Sequence, residues 1–324
     1  MPYSPLIIAP LLVASLGLGA FAAALPPSSR ADDVFLFGYF VGSSEDGLHL
    51  ATSEDGLNWT ALRGGASLLR PGVGETKLMR DPCLLLGPDG VFRLVWTTAW
   101  KGVTIGYASS RDLITWSGQK GWPVMAHEPT TGNCWAPEII WDEVKRHYLI
   151  YWSSTVPGKF PGPDEADRKE KTEPPRNHRL YSTTTKDFET FTATRLHYEP
   201  GINVIDETMV RVGDGWAMVV KNETDLPVAA KNLYVVTAPS PDGPWSARGD
   251  PISPTGIWVE GPTAVKIGDW WHLYFDHYMD KRYGVMRSRD FVKWEDISAQ
   301  LAPPAGIRHG TVLRVPRSVV TALK

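Results

Sequence analysis

The sequence predicts an all-β protein: a five-bladed β-propeller of four-stranded antiparallel blades. Three observations carry this. First, one unit can be read whole between Met79 and Trp116. It opens on Arg80-Asp81-Pro82, runs apolar through Cys83-Leu84-Leu85-Leu86, turns at Gly87 to Gly90, and continues with the strand-like runs Phe92 to Trp96 and Thr104 to Ala108. Short β-branched and aromatic runs between Gly, Pro and Asp turns are strand–turn–strand chemistry. Second, the end of this unit recurs. Ser/Thr-x-Asp followed by an aromatic residue occurs at Ser53-Glu54-Asp55…Trp59, Ser110-Arg111-Asp112…Trp116, Thr185-Lys186-Asp187…Phe191, Ser240-Pro241-Asp242…Trp245 and Ser288-Arg289-Asp290…Trp294. The copies lie about 50–75 residues apart, the range of repeated propeller blades. The aspartate suits a tight turn, and the ring can fill the gap between adjacent sheets. Third, the chain ends on a lone strand, Arg308 to Leu313, while its first unit lacks an opening strand. Pairing the two closes a ring and removes exposed sheet edges.

In chain order, Leu6 to Ala24 is almost wholly apolar and ends on Ala22-Ala23-Ala24. It reads as a secretory signal peptide over residues 1–24, followed by a linker over 25–33 and one propeller domain over 34–324. Pro10 within the run and Pro26-Pro27 after it count against a retained anchor. Unit one comprises Phe35 to Val41, His49 to Thr52 and Asn58 to Leu62. Units three, four and five open at Cys134 to Trp141, Val204 to Val210 and Trp258 to Val265. The segment Pro157 to His178, rich in Pro, Gly and charge, is an insertion between the second and third strands of its unit. It is either a rim over the pocket or a plain solvated loop.

The 324 residues carry a net charge of -3 and no cluster of Lys and Arg, so nucleic acid is not an expected partner. Fourteen tryptophans and eleven tyrosines suit strands and inter-blade packing, and also sugar stacking. Trp96, Trp100, Trp141, Trp152, Trp270 and Trp271 are assigned to packing. Asn58-Trp59-Thr60 and Asn222-Glu223-Thr224 are glycosylation tripeptides. The only two cysteines, Cys83 and Cys134, open consecutive units; a disulfide and two buried thiols are both open.

In a propeller the openings of the innermost strands converge on the axis. Here they carry Asp81, Glu138, Asp206, Glu260 and His309, with the acids read as occupying equivalent repeat positions. A ring of carboxylates at a funnel is costly unless the groups titrate, bind a cation or do chemistry.

These openings resemble those of the family 43 glycoside hydrolases, the five-bladed arabinosidase and xylosidase group. The motifs are Arg80-Asp81-Pro82, Trp135-Ala136-Pro137-Glu138, Ile205-Asp206, Glu260-Gly261-Pro262 and Arg308-His309-Gly310. The resemblance implies Asp81 as general base, Glu260 as general acid and Asp206 as the residue that orients the acid and tunes its pKa. Glu207, next to Asp206, is the rival for that last role. Inverting hydrolysis suits this set: a protonated carboxyl assists the leaving oxygen and a carboxylate activates water, roughly 6.5–9.5 Å apart. Arg80, Trp135 and Trp258 are candidate substrate contacts, with core packing the alternative for Trp258. No cofactor is required. The resemblance allows a structural calcium ion in the channel beside His309; a buried core histidine is the alternative.

The expected protein is therefore a secreted, monomeric hydrolase acting on arabinose- or xylose-containing oligo- or polysaccharide, with no membrane association once the leader is cleaved. A partial blade precedes the base, unlike the commonest family pattern, which leaves room for kinship with the fructan-cleaving propellers. Their nucleophile opening of the Asp-Pro-Asn type is missing between Val34 and Gly47. A non-catalytic carbohydrate-binding propeller and a retaining β-fructosidase-like enzyme are the two alternatives.

Overall fold

The computed structural model describes residues 32–162 and 176–324. The expected leader, most of the linker and residues 163–175 of the insertion lie outside the described residues. The described residues form five antiparallel sheets. The first blade contains β1 (Asp33–Val41), β2 (His49–Ser53) and β3 (Thr60–Ala61). The second is β4 (Arg80–Leu86), β5 (Phe92–Thr97), β6 (Ile105–Ser110) and β7 (Lys120–Trp122). The third is β8 (Trp135–Asp142), β9 (His147–Thr155), β10 (His178–Thr185) and β11 (Arg195–Tyr198). The fourth is β12 (Val204–Val212), β13 (Gly215–Asn222) and β14 (Asn232–Ala238), and the fifth is β15 (Glu260–Ile267), β16 (Trp270–His277), β17 (Arg282–Ser288) and β18 (Glu295–Asp296).

The last strand, β19 (Ile307–Pro316), takes the innermost place of the first blade. It pairs with β1 from Asp33↔Pro316 to Tyr39↔Gly310, the closure that the lone C-terminal strand implied. The innermost strands β19, β4, β8, β12 and β15 then neighbour one another in a ring. After β19 a short helix, α1 (Arg317–Leu323), tucks Val320 and Leu323 into the core.

The fourth blade departs from the four-stranded expectation. Residues 249–252 run along β14, with Gly249 N bonded to Val235 O at 3.3 Å and Ile252 N to Leu233 O at 2.8 Å. Only a single bridge, Tyr234↔Pro251, forms there. Pro251 has no N–H to donate, and Pro239, Pro241 and Pro244 crowd the approach, so no regular strand forms.

The recurring Ser/Thr-x-Asp ending is a side-chain-built turn. In the first copy Asp55 Oδ1 accepts the N–H groups of Leu57 and Asn58, each at 2.8 Å, and Ser53 Oγ accepts the N–H of Gly56 at 2.9 Å. Asp112, Asp187 and Asp290 repeat the double acceptance. In each the residue after the aspartate has positive φ: Gly56, Leu113, Phe188 and Phe291. The fourth copy differs, because Asp242 instead pairs with Lys145 and Arg195.

Five hydrophobic clusters lie at the five seams between blades. The seam of the first and second blades, for example, joins Leu36, Leu48 and Leu50 to Leu84, Leu94 and Trp96. Trp59 packs between the first and fifth blades, beside Phe37 and Tyr274, as the repeat's aromatic residue was expected to do. Cys83 and Cys134 are buried free thiols. Cys83 Sγ accepts the Ile139 N–H and Cys134 Sγ the Ser154 hydroxyl, each at 3.5 Å, and burial raises both thiols. Of the two glycosylation tripeptides, Asn58 is exposed, whereas Asn222 is buried on β13. Among the described residues no helix is long and apolar enough to cross a membrane.

Deleting residues 308–324 removes nearly all of β19 and the whole of α1, leaving β1 and the β15 and β4 neighbours of the closing strand exposed. The truncated protein is expected to lose its cooperative thermal transition, followed by far-ultraviolet circular dichroism; a melt near that of the longer chain would refute the closure.

Candidate active site

Each innermost strand begins with the same device, a one-residue bulge. Three steps on one strand oppose two on its partner between Arg80/Thr97 and Cys83/Val95, Trp135/Ser153 and Glu138/Tyr151, and Glu260/Asp276 and Thr263/Tyr274. β12 carries its bulge between Ile205 and Glu207, and β19 between Ile307 and Gly310. Bulges re-aim side chains and are common next to active sites. The extra residue sits in the left-handed region at Asp81 (φ 51), Ala136 (φ 45), Asp206 (φ 50) and Gly261 (φ 59). Aspartate tolerates that region better than most residues. At Gly261 a side chain is excluded twice, by φ and by the His309 ring, which would lie 2.4 Å from an added Cβ.

This register corrects one expectation. The acids do not occupy equivalent positions. Asp81 and Asp206 are the left-handed residues of their bulges, Glu260 lies one residue earlier in its own, and Glu138 lies two residues later. Because successive strand side chains alternate in direction and the bulge adds a further turn, each acid meets different neighbours.

At the centre His309 stands between Asp81 and Asp206. Its Nδ1 lies 3.3 Å from Asp81 Oδ1 and 3.8 Å from Asp206 Oδ2. Thr97 Oγ1 donates to Asp81 Oδ2 at 2.9 Å and accepts the Ala136 N–H at 2.8 Å, which fixes the Asp81 carboxylate. Burial alone would raise Asp81, but the hydrogen bond and charge of His309, with Arg80 and Thr97, hold it at about 2. Asp206 is the reverse. Burial pushes it up to about 7; Glu260 and Asp81 add to this, while His309 and Lys221 oppose it. Its Oδ2 accepts the Gly261 N–H at 3.0 Å, which ties it to the strand that carries Glu260.

Glu260 lies between two cations. Lys221 Nζ approaches its Oε2 at 3.1 Å and Arg308 Nη2 its Oε1 at 3.3 Å. Both contacts are with positive groups, where a negative neighbour was expected to act on a general acid. Burial raises Asp206, and it raises Glu138 as well. Glu138 is buried, accepts the Tyr151 hydroxyl at 2.5 Å and is raised by burial to about 7. Glu207, the rival of Asp206, turns away from the axis to accept the Ser153 hydroxyl at 3.1 Å, and burial beside Glu138 and Asp206 raises it well above the usual carboxylate range.

Around this centre, the Arg80 guanidinium lies 4.8 Å from the Phe40 ring and 4.4 Å from that of Trp100. Trp135 is half-buried; its Nε1 donates to Trp100 O at 3.2 Å, and its ring meets Trp100 edge-on at 5.7 Å. Trp100 is not blade packing. It is 53% exposed, in the loop between β5 and β6 rather than on a strand, and shares a small cleft with Asn133, Trp135 and Arg176. Trp258 is 40% exposed, 6.4 Å from the Tyr278 ring, so the core-packing alternative does not hold for it. Trp96 and Trp152 are fully buried, as assigned.

The calcium ion allowed beside His309 does not fit these residues. Burial would lower His309, yet the bond to Asp81 and the charges of Asp206, Asp81 and Glu138 raise it to about 9. Calcium takes roughly 6–8 oxygen ligands, and an imidazole ring offers none. Among the described residues no group of three or more His, Cys, Asp or Glu side chains is arranged to hold a metal ion.

Sequence reasoning missed Lys221, Glu223 and Asp276, and gave Arg308 no role. Lys221 had a signal: it ends the apolar run Ala217-Met218-Val219-Val220, where a strand in a propeller core has no reason to carry an ammonium group.

The family model described as a probable glycosyl hydrolase domain, related to glycosyl hydrolase family 43, matches residues 32–319. The chain belongs to that family. An α-L-arabinofuranosidase of Bifidobacterium longum subsp. longum is 24% identical over 181 residues, 49% of this chain and 16% of that protein, so the chain spans a small part of that relative's length. Among solved structures, the α-L-arabinofuranosidase of Lactobacillus brevis superposes with a TM-score of 0.50 at 14% identity, covering 68% of this chain and 72% of that one. A thermostable family-43 glycoside hydrolase superposes with a TM-score of 0.51 at 17% identity, covering 69% and 72%. Likeness at such identities bears on the fold, which these proteins share.

The buried centre makes stability depend on pH. His309 at about 9, and Asp206 and Glu138 at about 7, all bind their protons more tightly folded than unfolded. Each therefore contributes stability that is full below its unfolded value and is lost as pH rises through its folded value. Asp81 contributes in the opposite sense, losing its share as pH falls through about 2. Urea midpoints are expected to fall steadily between about pH 5 and pH 9; midpoints that rise or stay level over that range would contradict the raised proton affinities of His309, Asp206 and Glu138.

Proposed function

We propose that the protein hydrolyses arabinose- or xylose-containing glycosidic bonds with inversion, with Asp81 as base, Glu260 as proton donor and Asp206 as the residue that orients and tunes the donor. The observation that carries this reading is the contrast between two aspartates in one backbone conformation: Asp81 is held ionised by His309 and Thr97, whereas Asp206 is raised and bonded to the strand of Glu260. Inverting hydrolysis needs one carboxylate fit to take a proton and a second acid to give one.

In this reading a water bound at Asp81 attacks the anomeric carbon. Its proton passes to an Asp81 oxygen as the new C–O bond forms. The bond to the leaving oxygen breaks, and that oxygen takes the proton of Glu260. Asp81 ends protonated, Glu260 ends ionised, and the sugar is released with inverted configuration. His309 stays protonated throughout and offsets the charge of Asp81 and Asp206 in turn. Trp258, 40% exposed, and Trp135, half-buried in its cleft, are the surfaces on which sugar rings stack. The arabinofuranosidase relative and the arabinofuranosidase of like fold favour an arabinofuranoside as first substrate. The apolar segment Leu6 to Ala24 supports export to an extracellular polysaccharide.

Asp81→Ala is expected to lower kcat by a factor of about 10² to 10⁴ on every substrate, since water activation is needed whatever the leaving group. Glu260→Ala should lose far more on arabinan or xylan oligosaccharides than on an aryl glycoside whose leaving group departs unaided. Proton NMR of the first-formed sugar should show the inverted anomer. Retained configuration would overturn the mechanism and favour a fructosidase-like one, and full activity in Asp81→Ala would remove the site.

A further inference from the structure

Glu260 belongs to one alternating chain of charge. Lys231 Nζ lies 2.8 Å from Glu223 Oε1, and Lys221 Nζ 2.7 Å from Glu223 Oε2. Lys221 then reaches Glu260 at 3.1 Å, and Glu260 reaches Arg308 at 3.3 Å. Arg308 Nε closes the chain on Asp276 Oδ2 at 2.5 Å. In both cations that touch Glu260, the shorter contact goes to another carboxylate. Lys221 gives its closer approach to Glu223, and Arg308 gives its closer approach to Asp276.

Lys221 is buried on β13, with its ammonium 4.7 Å from the Tyr278 ring, so water screens it little. Glu223 is held ionised at about 2: burial would raise it, but Lys221 and Lys231 outweigh this. Its charge is therefore constant across the working range. The other groups that face this pair and Glu260 are Asp206 on β12, Asp225 and Lys231 in the loop after β13, Asp276 on β16, Tyr278 beyond it, Tyr283 on β17 and Arg308 on β19.

We propose that Lys221 and Glu223 are a positioning pair for Glu260: Lys221 holds the carboxyl in place, and Glu223 offsets the ammonium charge that Glu260 meets. The kinetic part of this proposal rests on the reading of Glu260 as proton donor. It accounts for a proton donor set between two cations, because each cation also contacts a second carboxylate. It also makes a demand that simple structural support does not. Removing the ammonium and removing its counter-charge must move Glu260 in opposite directions.

The test is the titration of the Glu260 carboxyl in the full chain, by carbon NMR with glutamate labelled at Cδ. The signal is assigned by its absence in Glu260→Gln. In Lys221→Met the midpoint should rise by about one pH unit, and in Glu223→Gln it should fall by about as much, with Lys221→Arg close to the parent. Midpoints that stay put, or move the same way in both variants, overturn the proposal. If Lys221→Met does not fold, the nearly isosteric Glu223→Gln decides alone by the sign of its shift. A kinetic arm separates this from the reading it builds on. The basic limb of kcat/KM on 4-nitrophenyl α-L-arabinofuranoside should follow the NMR midpoints. Midpoints that move as stated while that limb stays fixed uphold the pair and overturn the role of Glu260 as donor.

Discussion

The pairing of β19 with β1 is the constraint on which both fold and site depend. A strand shared by the first and last blades ties the ring shut, so that neither end is left with unpaired backbone groups and an uncovered apolar face. Here the shared strand lies innermost in its blade, so the residues at its start fall on the axis. Those residues are Arg308 and His309. One delivers a guanidinium to Glu260 and Asp276, and the other an imidazolium to Asp81 and Asp206. The strand that closes the ring therefore also supplies positive charge at the axis.

Within that ring, one backbone device produces several chemistries. Asp81 and Asp206 share the bulge and the left-handed φ, yet their proton affinities are pushed in opposite directions. Conformation does not distinguish them; neighbours do. Asp81 has the nearer contact with His309 and a hydroxyl from Thr97, while Asp206 has a backbone N–H and the Glu260 carboxyl close by. The left-handed conformation at Asp81, Ala136 and Asp206 stores strain of about 1 kcal/mol each, which the surrounding ladder must hold in place.

The fold was legible because its signals are local and repeated. The Ser/Thr-x-Asp turn is visible in sequence because the hydrogen bonds that make it span only two or three residues, as at Asp55 and Asp112. The closing strand was legible because a missing piece at one end matched a spare piece at the other. Less legible were features set by contacts between distant segments. Lys221 meets Glu260 across 39 positions of sequence, and Arg308 meets Asp276 across 32, so no motif joins them. The fourth blade's outer edge failed for a different reason: the turn was counted, but the prolines that prevent a ladder beyond it were not. Trp100 was assigned to packing by residue type alone, and its place in a loop at the mouth reversed that. The register of the acids was misplaced because a bulge adds one residue without any mark in the sequence.

Buried charges need an account beyond stability. Taking Lys221, Glu223 and Asp276 out of water is costly, and well-packed apolar residues of the same volume often serve a core equally well or better. The ion chain is therefore poor evidence that the protein needs it in order to fold. What apolar residues cannot do is divide a positive charge between two carboxylates. At Glu260 the division leaves each cation at its longer distance, 3.1 and 3.3 Å, and at the partner carboxylates it leaves each at its shorter one, 2.7 and 2.5 Å. A donor that must bind a proton before the reaction and release it during the reaction is best served by neighbours that fix its position while only partly opposing its protonation. If Glu260 is the donor, as proposed above, the asymmetry of these distances meets that requirement, and a symmetric pairing of either cation with Glu260 alone would not.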